Sequence, residues 1–228
     1  MRRVVTIDGP AGSGKSTVAR IVADRLGWRL LDTGAMYRSV ALAALRAGVD
    51  LADEEALGDL AARLTVSLPP GQVVLDGRDV SRDIRTVEVT RVTRFAAQNP
   101  RVRQILAGWQ RAFAAENDTI TEGRDQGTIV FPDAPCKFFL TANPTERARR
   151  RHAEFLQRGE SISFEDVLRD QQRRDAEDTE RAIAPLRAAD DAAVLDTTGR
   201  TIDEIATLVE SAVRCSLGES PFSEPPLS

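Results

Sequence analysis

Val4-Val5-Thr6-Ile7-Asp8-Gly9-Pro10-Ala11-Gly12-Ser13-Gly14-Lys15-Ser16-Thr17 is the stretch on which the fold turns. Its first four residues form a short β-branched run, too short for a helix and rich in strand formers. The glycines that follow break any regular element. From Ser16 to Leu26 the apolar residues Val18, Ile21, Val22, Ala23 and Leu26 recur at helical spacing, and Gly27 supplies the stop. Strand, glycine loop and helix in that order frame Gly9-Pro10-Ala11-Gly12-Ser13-Gly14-Lys15-Ser16, a full match to the G-x-x-x-x-G-K-[ST] phosphate loop. Glycines let successive backbone N–H groups turn inward around a polyphosphate, and the following helix adds its positive end. Lys15 is then placed to reach the outer phosphates, and the Ser16 hydroxyl to ligate Mg²⁺. A glycine turn without ligand is the alternative. The coincidence of strand, helix and lysine argues against it, because only Lys15 and Lys137 among the 31 basic residues are lysine.

Outward from this loop the pattern repeats. Leu30-Leu31-Asp32 ends a second strand, and a helix runs from Ala35 to Ala47 with Thr33 as its expected cap and Gly48 as its stop. Short apolar runs return at Thr119-Ile120-Thr121, at 136–140 and at Ala193-Val194-Leu195, separated by helical stretches. Strands alternating with helices predict an α/β fold with a doubly wound parallel sheet. Between Leu64 and Val80, alternation broken by Pro69-Pro70-Gly71 and Asp76-Gly77 predicts a small antiparallel insert. The segment 145–187 reads as helical and laden with arginine, interrupted near Arg158-Gly159. The last eleven residues hold three prolines and three serines and are expected to be disordered.

Composition bounds the function. With 228 residues, 42% hydrophobic and 29% charged, the chain has an ordinary globular balance. It holds no apolar run of the roughly 18 residues that span a bilayer. The net charge of −4 lacks the footprint of a DNA-coating protein. Cys136 and Cys215 are far apart, without metal-ligand spacing, and fit inert thiols in a reduced, cytoplasmic protein. The guanine-reading Asn-Lys-x-Asp of a GTPase is missing, since Asn99, Asn117 and Asn143 precede Pro100, Asp118 and Pro144. Asp196-Thr197-Thr198-Gly199 comes too late in the chain for a GTPase switch. A small-molecule kinase is left as the leading class. Arg38, at the start of the second helix, is either an anion ligand or a solvated charge. Arg124 and Asp125, just beyond a strand end where doubly wound folds place ligands, are either site residues or a structural ion pair. His152, the only histidine, lies in the arginine-rich segment and reads as a surface residue.

The combination of Ile7-Asp8-Gly9-Pro10 through Thr17, Leu31 to Arg38, Gly123-Arg124-Asp125-Gln126-Gly127-Thr128 through Ala134, and Arg181 to Leu186 resembles the bacterial cytidylate kinases from Val4 to about Val213. The resemblance implies a P-loop nucleoside monophosphate kinase with a five-stranded sheet, an enlarged monophosphate-binding insert and a helical lid. It implies core segments 1–36, 100–144 and 188–215, an insert over 37–99, a lid and following helix over 145–187, and a tail over 216–228. The implied reaction is phosphoryl transfer from MgATP to CMP or dCMP in pyrimidine nucleotide metabolism, by a monomer with no nucleic-acid or membrane partner. Lys15, Arg124 and Arg181 would act in catalysis. Gly9, Pro10, Ala11, Gly12, Ser13, Gly14, Lys15, Ser16, Thr17 and Arg150 would hold ATP, with Ser16 on the metal. Spacing alone does not separate Arg150 from Arg147, Arg151 and Arg158. Thr33, Tyr37, Arg38, Arg103, Arg124, Asp125, Arg174, Asp178 and Arg181 align with acceptor-binding positions, Arg38, Arg124 and Arg181 on the phosphate, Arg174 and Asp178 at the ribose. Arg94 departs, standing where the family carries a small hydroxyl residue near the cytosine, so that contact is lost or moves to Thr93. The rivals are a kinase for UMP or shikimate and, from another class, an ATP-dependent nucleic-acid-binding protein.

Overall fold

A computed structural model describes residues 2–157 and 159–219. Met1, Arg158 and residues 220–228, most of the expected tail, lie outside them. The chain divides into two compact units, one formed by residues 1–30 and 118–228 and the other by residues 31–117.

The first unit is built on strand β1 (Val4–Asp8), whose apolar run is buried on both faces, as a central parallel strand requires. A five-stranded sheet has the order β2-β6-β1-β7-β8, with β2 at Arg29–Asp32, β6 at Thr119–Gly123, β7 at Cys136–Thr141 and β8 at Ala193–Asp196. Strand β1 pairs parallel with β6, matching Asp8 to Gly123, and parallel with β7 on its other side. Helices α1 (Lys15–Leu26) and α8 (Ile202–Ser216) cover the sheet. Val18, Val22, Ile205, Val209 and Val213 pack with Val5, Ile7, Ile120 and Leu140 in one core. Helix α8 starts on a capping box between Thr201 and Glu204. The arginine-rich segment forms α6 (Pro144–Gln157) and α7 (Phe164–Glu180), with the break where Gly159 was expected to place it.

Within the second unit, α2 (Thr33–Ala47) begins two positions earlier than the pattern suggests. Its cap is Asp32, not Thr33, because the Asp32 carboxylate accepts from the Ala35 N–H at 2.8 Å. Helices α3 (Glu54–Arg63), α4 (Val87–Gln98) and α5 (Pro100–Glu116) follow. Asn99 separates α4 from α5: its side chain caps α5 by accepting from Arg101 and Val102, and Pro100 occupies the first turn, where no N–H is needed. The antiparallel insert is present as β3 (Val66–Ser67), β4 (Val74–Leu75) and β5 (Arg78–Asp79), strands of two residues each. They survive because Val73, Leu75 and Val80 join the core of Ala41, Leu42, Ile84 and Val89.

Candidate active site

The phosphate loop is shaped by contacts that only glycine permits. Gly9 has φ +149°, and a Cβ there would lie 2.0 Å from the Leu140 carbonyl oxygen. At Gly12, with φ +76°, a Cβ would meet the backbone of Arg147 at 2.9 Å. Gly14 opens α1 in the left-handed region with no side-chain cap, which leaves the helix start to an anion. Pro10, Ala11 and Ser13 carry the backbone between these turns, and Thr17 lies in the first turn of α1.

Lys15 is buried and donates to the Pro10 carbonyl at 3.2 Å, folded across its own loop. Burial, and next the Arg124 guanidinium, push its amine down to about 8, against the pull of Glu122, Asp178 and Asp8. An ammonium held in so few contacts is primed for phosphate oxygens. The Ser16 hydroxyl donates to Glu122 Oε1 at 3.0 Å. A hydroxyl and a buried carboxylate side by side are hard oxygen donors of the kind Mg²⁺ prefers, so the residues fit the ion that the phosphate loop implies. No group of three or more His, Cys, Asp or Glu side chains suited to a metal occurs among the described residues.

Directly after β6 come Arg124 and Asp125. Arg124 Nε donates to Asp178 Oδ2 at 2.9 Å. Burial opposes its charge, but Asp178, Glu122 and Asp175 outweigh that and raise its pKa. Arg181 stands on the other side of the same carboxylate, with Nη1 3.8 Å from Asp178 Oδ1. Asp178 therefore gathers two of the three arginines assigned to the acceptor phosphate. Arg174 is held apart from them by Asp170, at 2.8 Å, and its partial burial lowers its pKa. Asp125 is buried, at 4% exposure.

In the second unit Arg38 lies 3.3 Å from both oxygens of Asp32, and Arg85 approaches the same carboxylate at 3.4 Å. Arg103 donates to the Ala97 carbonyl and sets its guanidinium 5.8 Å from the centre of the Tyr37 ring. Thr33 is buried at the head of α2. Thr93 spends its hydroxyl on the Val89 carbonyl at 2.7 Å, and Arg94 lies over the Phe95 ring.

The lid arginines separate by partner. Arg147 donates to the Ala142 and Ala11 carbonyls and pairs with Asp175 at 2.7 Å, so it braces the phosphate loop from behind. Arg150 donates to the hydroxyl and carbonyl of Thr197, while the Thr197 hydroxyl donates to the Ser13 carbonyl at 3.1 Å. Arg150 thus abuts the loop through one residue. Arg151 pairs with Glu154 and covers Phe155. Arg158 lies outside the described residues. His152 meets the Ile162 carbonyl at 3.0 Å and Phe164 edge-on, away from these groups.

Sequence reasoning passed over Asp8, Glu122, Arg85, Asp175 and Thr197. A carboxylate in the last two positions of each of two adjacent buried strands is a signal that could have flagged Asp8 and Glu122. The other three depend on partners distant in the chain.

A family pattern described as cytidylate kinase matches residues 5–214. The chain belongs to the cytidylate kinase family. The cytidylate kinase of Aeromonas salmonicida (strain A449) is 47% identical over 227 residues, covering 98% of this chain and 99% of the relative. That of Serratia proteamaculans (strain 568) is 50% identical over 206 residues, covering 89% and 90%. Among solved structures, an uncharacterized protein from Eubacterium ventriosum ATCC 27560 shares the fold with a TM-score of 0.52 at 11% identity, over 93% of this kinase and 98% of that chain. The family is one of P-loop kinases, and the phosphate loop and parallel sheet of this member are those of that class.

Proposed function

We propose that the protein transfers the γ-phosphoryl group of ATP to CMP or dCMP, giving ADP and CDP or dCDP. The observation that carries this is the family match over residues 5–214, on a chain whose Lys15 and Arg124–Asp178–Arg181 cluster supply the required charges.

Phosphoryl transfer passes through a loose, metaphosphate-like transition state, so catalysis is mostly positioning and charge stabilisation. Gly9 and residues 11–17 hold the triphosphate through backbone N–H groups, and the Lys15 ammonium exchanges the Pro10 carbonyl for the outer phosphates. Ser16, with Glu122 behind it, would hold Mg²⁺, which when bound neutralises phosphate charge. On the acceptor side, Arg124 and Arg181 rest against Asp178, and Arg38 rests against Asp32. An incoming monophosphate would offer Arg124 and Arg181 a partner in place of Asp178, and Arg38 is assigned to the same phosphate by the resemblance. Tyr37, Arg103, Thr33 and Asp125 are assigned to the nucleoside, Arg174 and Asp178 to the ribose. Arg150 is assigned to the donor phosphates. Segments 37–99 and 145–187 serve as monophosphate-binding insert and lid. The enzyme is read as a cytoplasmic monomer of pyrimidine nucleotide metabolism. Free thiols at Cys136 and Cys215 accord with a reducing compartment.

A coupled assay of ADP release across CMP, dCMP, UMP, AMP, GMP and shikimate tests the reading. CMP and dCMP should give the highest kcat/KM. Preference for UMP or shikimate would overturn it.

A further inference from the structure

Asp8 ends β1 one residue before the phosphate loop, and it is 4% exposed. Its two oxygens are both used on one short piece of chain. Oδ1 accepts from the Gln126 N–H at 3.0 Å and Oδ2 from the Gly127 N–H at 2.8 Å. Gln126–Val130 is a single wide turn of helix that begins immediately after Asp125. Its first N–H groups would be orphaned donors in a buried place without this carboxylate.

Other contacts clamp the same turn. The Gln126 side chain accepts from Thr121 at 2.8 Å, inside the sheet. The buried Lys137, one of only two lysines, joins the Pro132 carbonyl just beyond the turn to Asp191. At Gly127 a Cβ would lie 2.9 Å from Thr6 Oγ1 and 3.3 Å from Lys137, so the backbone is pressed against β1 with no room for a side chain. Burying a carboxylate is costly, and a core of this kind needs no charge for its packing. The arrangement makes sense as a device for fixing one segment to another: β1 launches the phosphate loop from Asp8, and Asp8 holds the segment that carries Arg124 and Asp125.

We propose that Asp8 is a positioning residue for the acceptor, fixing the Arg124–Asp125 segment against the strand that bears the phosphate loop. The inference rests on the assignment of Arg124 and Asp125 to CMP. Asp8 itself touches neither substrate and acts through the turn.

The test separates KM for CMP from KM for ATP in two variants. Asp8→Asn keeps the shape but turns an NH₂ toward one of the two backbone donors. Gly127→Ala presses on the same turn where it meets β1, its added Cβ 2.9 Å from Thr6 Oγ1, and keeps the Asp8 carboxylate itself. Misplacement of a reacting group by about 1 Å can cost about a hundredfold. Each variant should therefore raise KM for CMP, or lower kcat/KM for CMP, by about tenfold or more. KM for ATP, and the Kd for ATP measured calorimetrically, should stay within about twofold, because the loop glycines and Lys15 are untouched. Unchanged CMP parameters would overturn the proposal. So would a parallel rise for both nucleotides, the mark of a merely structural residue. Should Asp8→Asn not fold, Gly127→Ala decides alone. Wild-type activity on CMP, measured beside them, distinguishes failure of this inference from failure of the function on which it rests.

Discussion

Lys15 is costly to the fold, and the proposed function gives it a use on the phosphates. Its amine is buried, near Arg124, and depressed to about 8. A lysine whose folded pKa lies below its unfolded value binds fewer protons when folded, so its unfavourable contribution is complete below pH 8 and fades as pH rises toward 10.5. Lys15→Met should therefore cut kcat by about a hundredfold or more while leaving the melting temperature of the ligand-free protein at pH 7 equal or higher. A mutant that melts well below wild type would mean that Lys15 stabilises the loop. Asp125 presents a different question, that of base choice. A buried carboxylate suits the exocyclic amine of cytosine, whereas uracil would set a carbonyl against it, a mismatch of about 1–3 kcal/mol or about 5- to 150-fold. Asparagine can offer a donor instead. Asp125→Asn should lower the ratio of kcat/KM for CMP over UMP, chiefly by improving UMP; an unchanged ratio would show that Asp125 does not read the base.

At the level of elements, α6 and α7 are mutually tied through Arg147 and Asp175, both largely buried. Asp175 Oδ1 already lacks a hydrogen-bond partner among the described residues, so losing Arg147 would leave a poorly compensated carboxylate. Removing one partner of a buried pair costs about 3–5 kcal/mol. Arg147→Met should lower the urea midpoint accordingly, and a shift equivalent to less than about 1 kcal/mol would place that pair among surface ion pairs. The remaining arginines of α6 rest on Glu146 and Glu154, carboxylates for which a bound anion would compete. Hydrogen exchange over residues 145–163 should accordingly slow when a bisubstrate analogue is bound. Equal protection with and without it would remove the lid from the mechanism.

Over the whole molecule, the buried Asp8 carboxyl couples stability to pH. Burial raises it to about 6, despite the N–H groups of Gly127 and Gln126 that favour the charged form, with Asp125 nearby raising it and Arg124 lowering it. A carboxyl with a raised folded pKa holds its proton more tightly in the folded state. Its contribution therefore favours folding below about pH 4 and is lost as pH rises to 6, an effect of about 3 kcal/mol for a shift of this size. Comparing urea unfolding of wild type and Asp8→Asn at pH 4.5 and pH 7 should show wild type losing ground to the variant at the higher pH. A pH-independent difference would mean that Asp8 is ionised throughout.

The sequence by itself determined the strand, loop and helix at residues 4–26, because glycine dihedrals and apolar periodicity act within a few residues. It also determined the alternation of strands and helices and, through Gly123-Arg124-Asp125 and the Asp32–Arg38 run, the family. Only the tertiary structure decided the strand order β2-β6-β1-β7-β8, which places β1 between two strands more than a hundred residues away along the chain. It also decided that Asp8 would capture the N–H groups of Gln126 and Gly127, that Glu122 would receive the Ser16 hydroxyl, and that Asp178 would gather Arg124 and Arg181. The physical reason is reach: a dihedral preference belongs to one residue, whereas a hydrogen bond across 106 or 118 positions exists only after the sheet has brought its strands together.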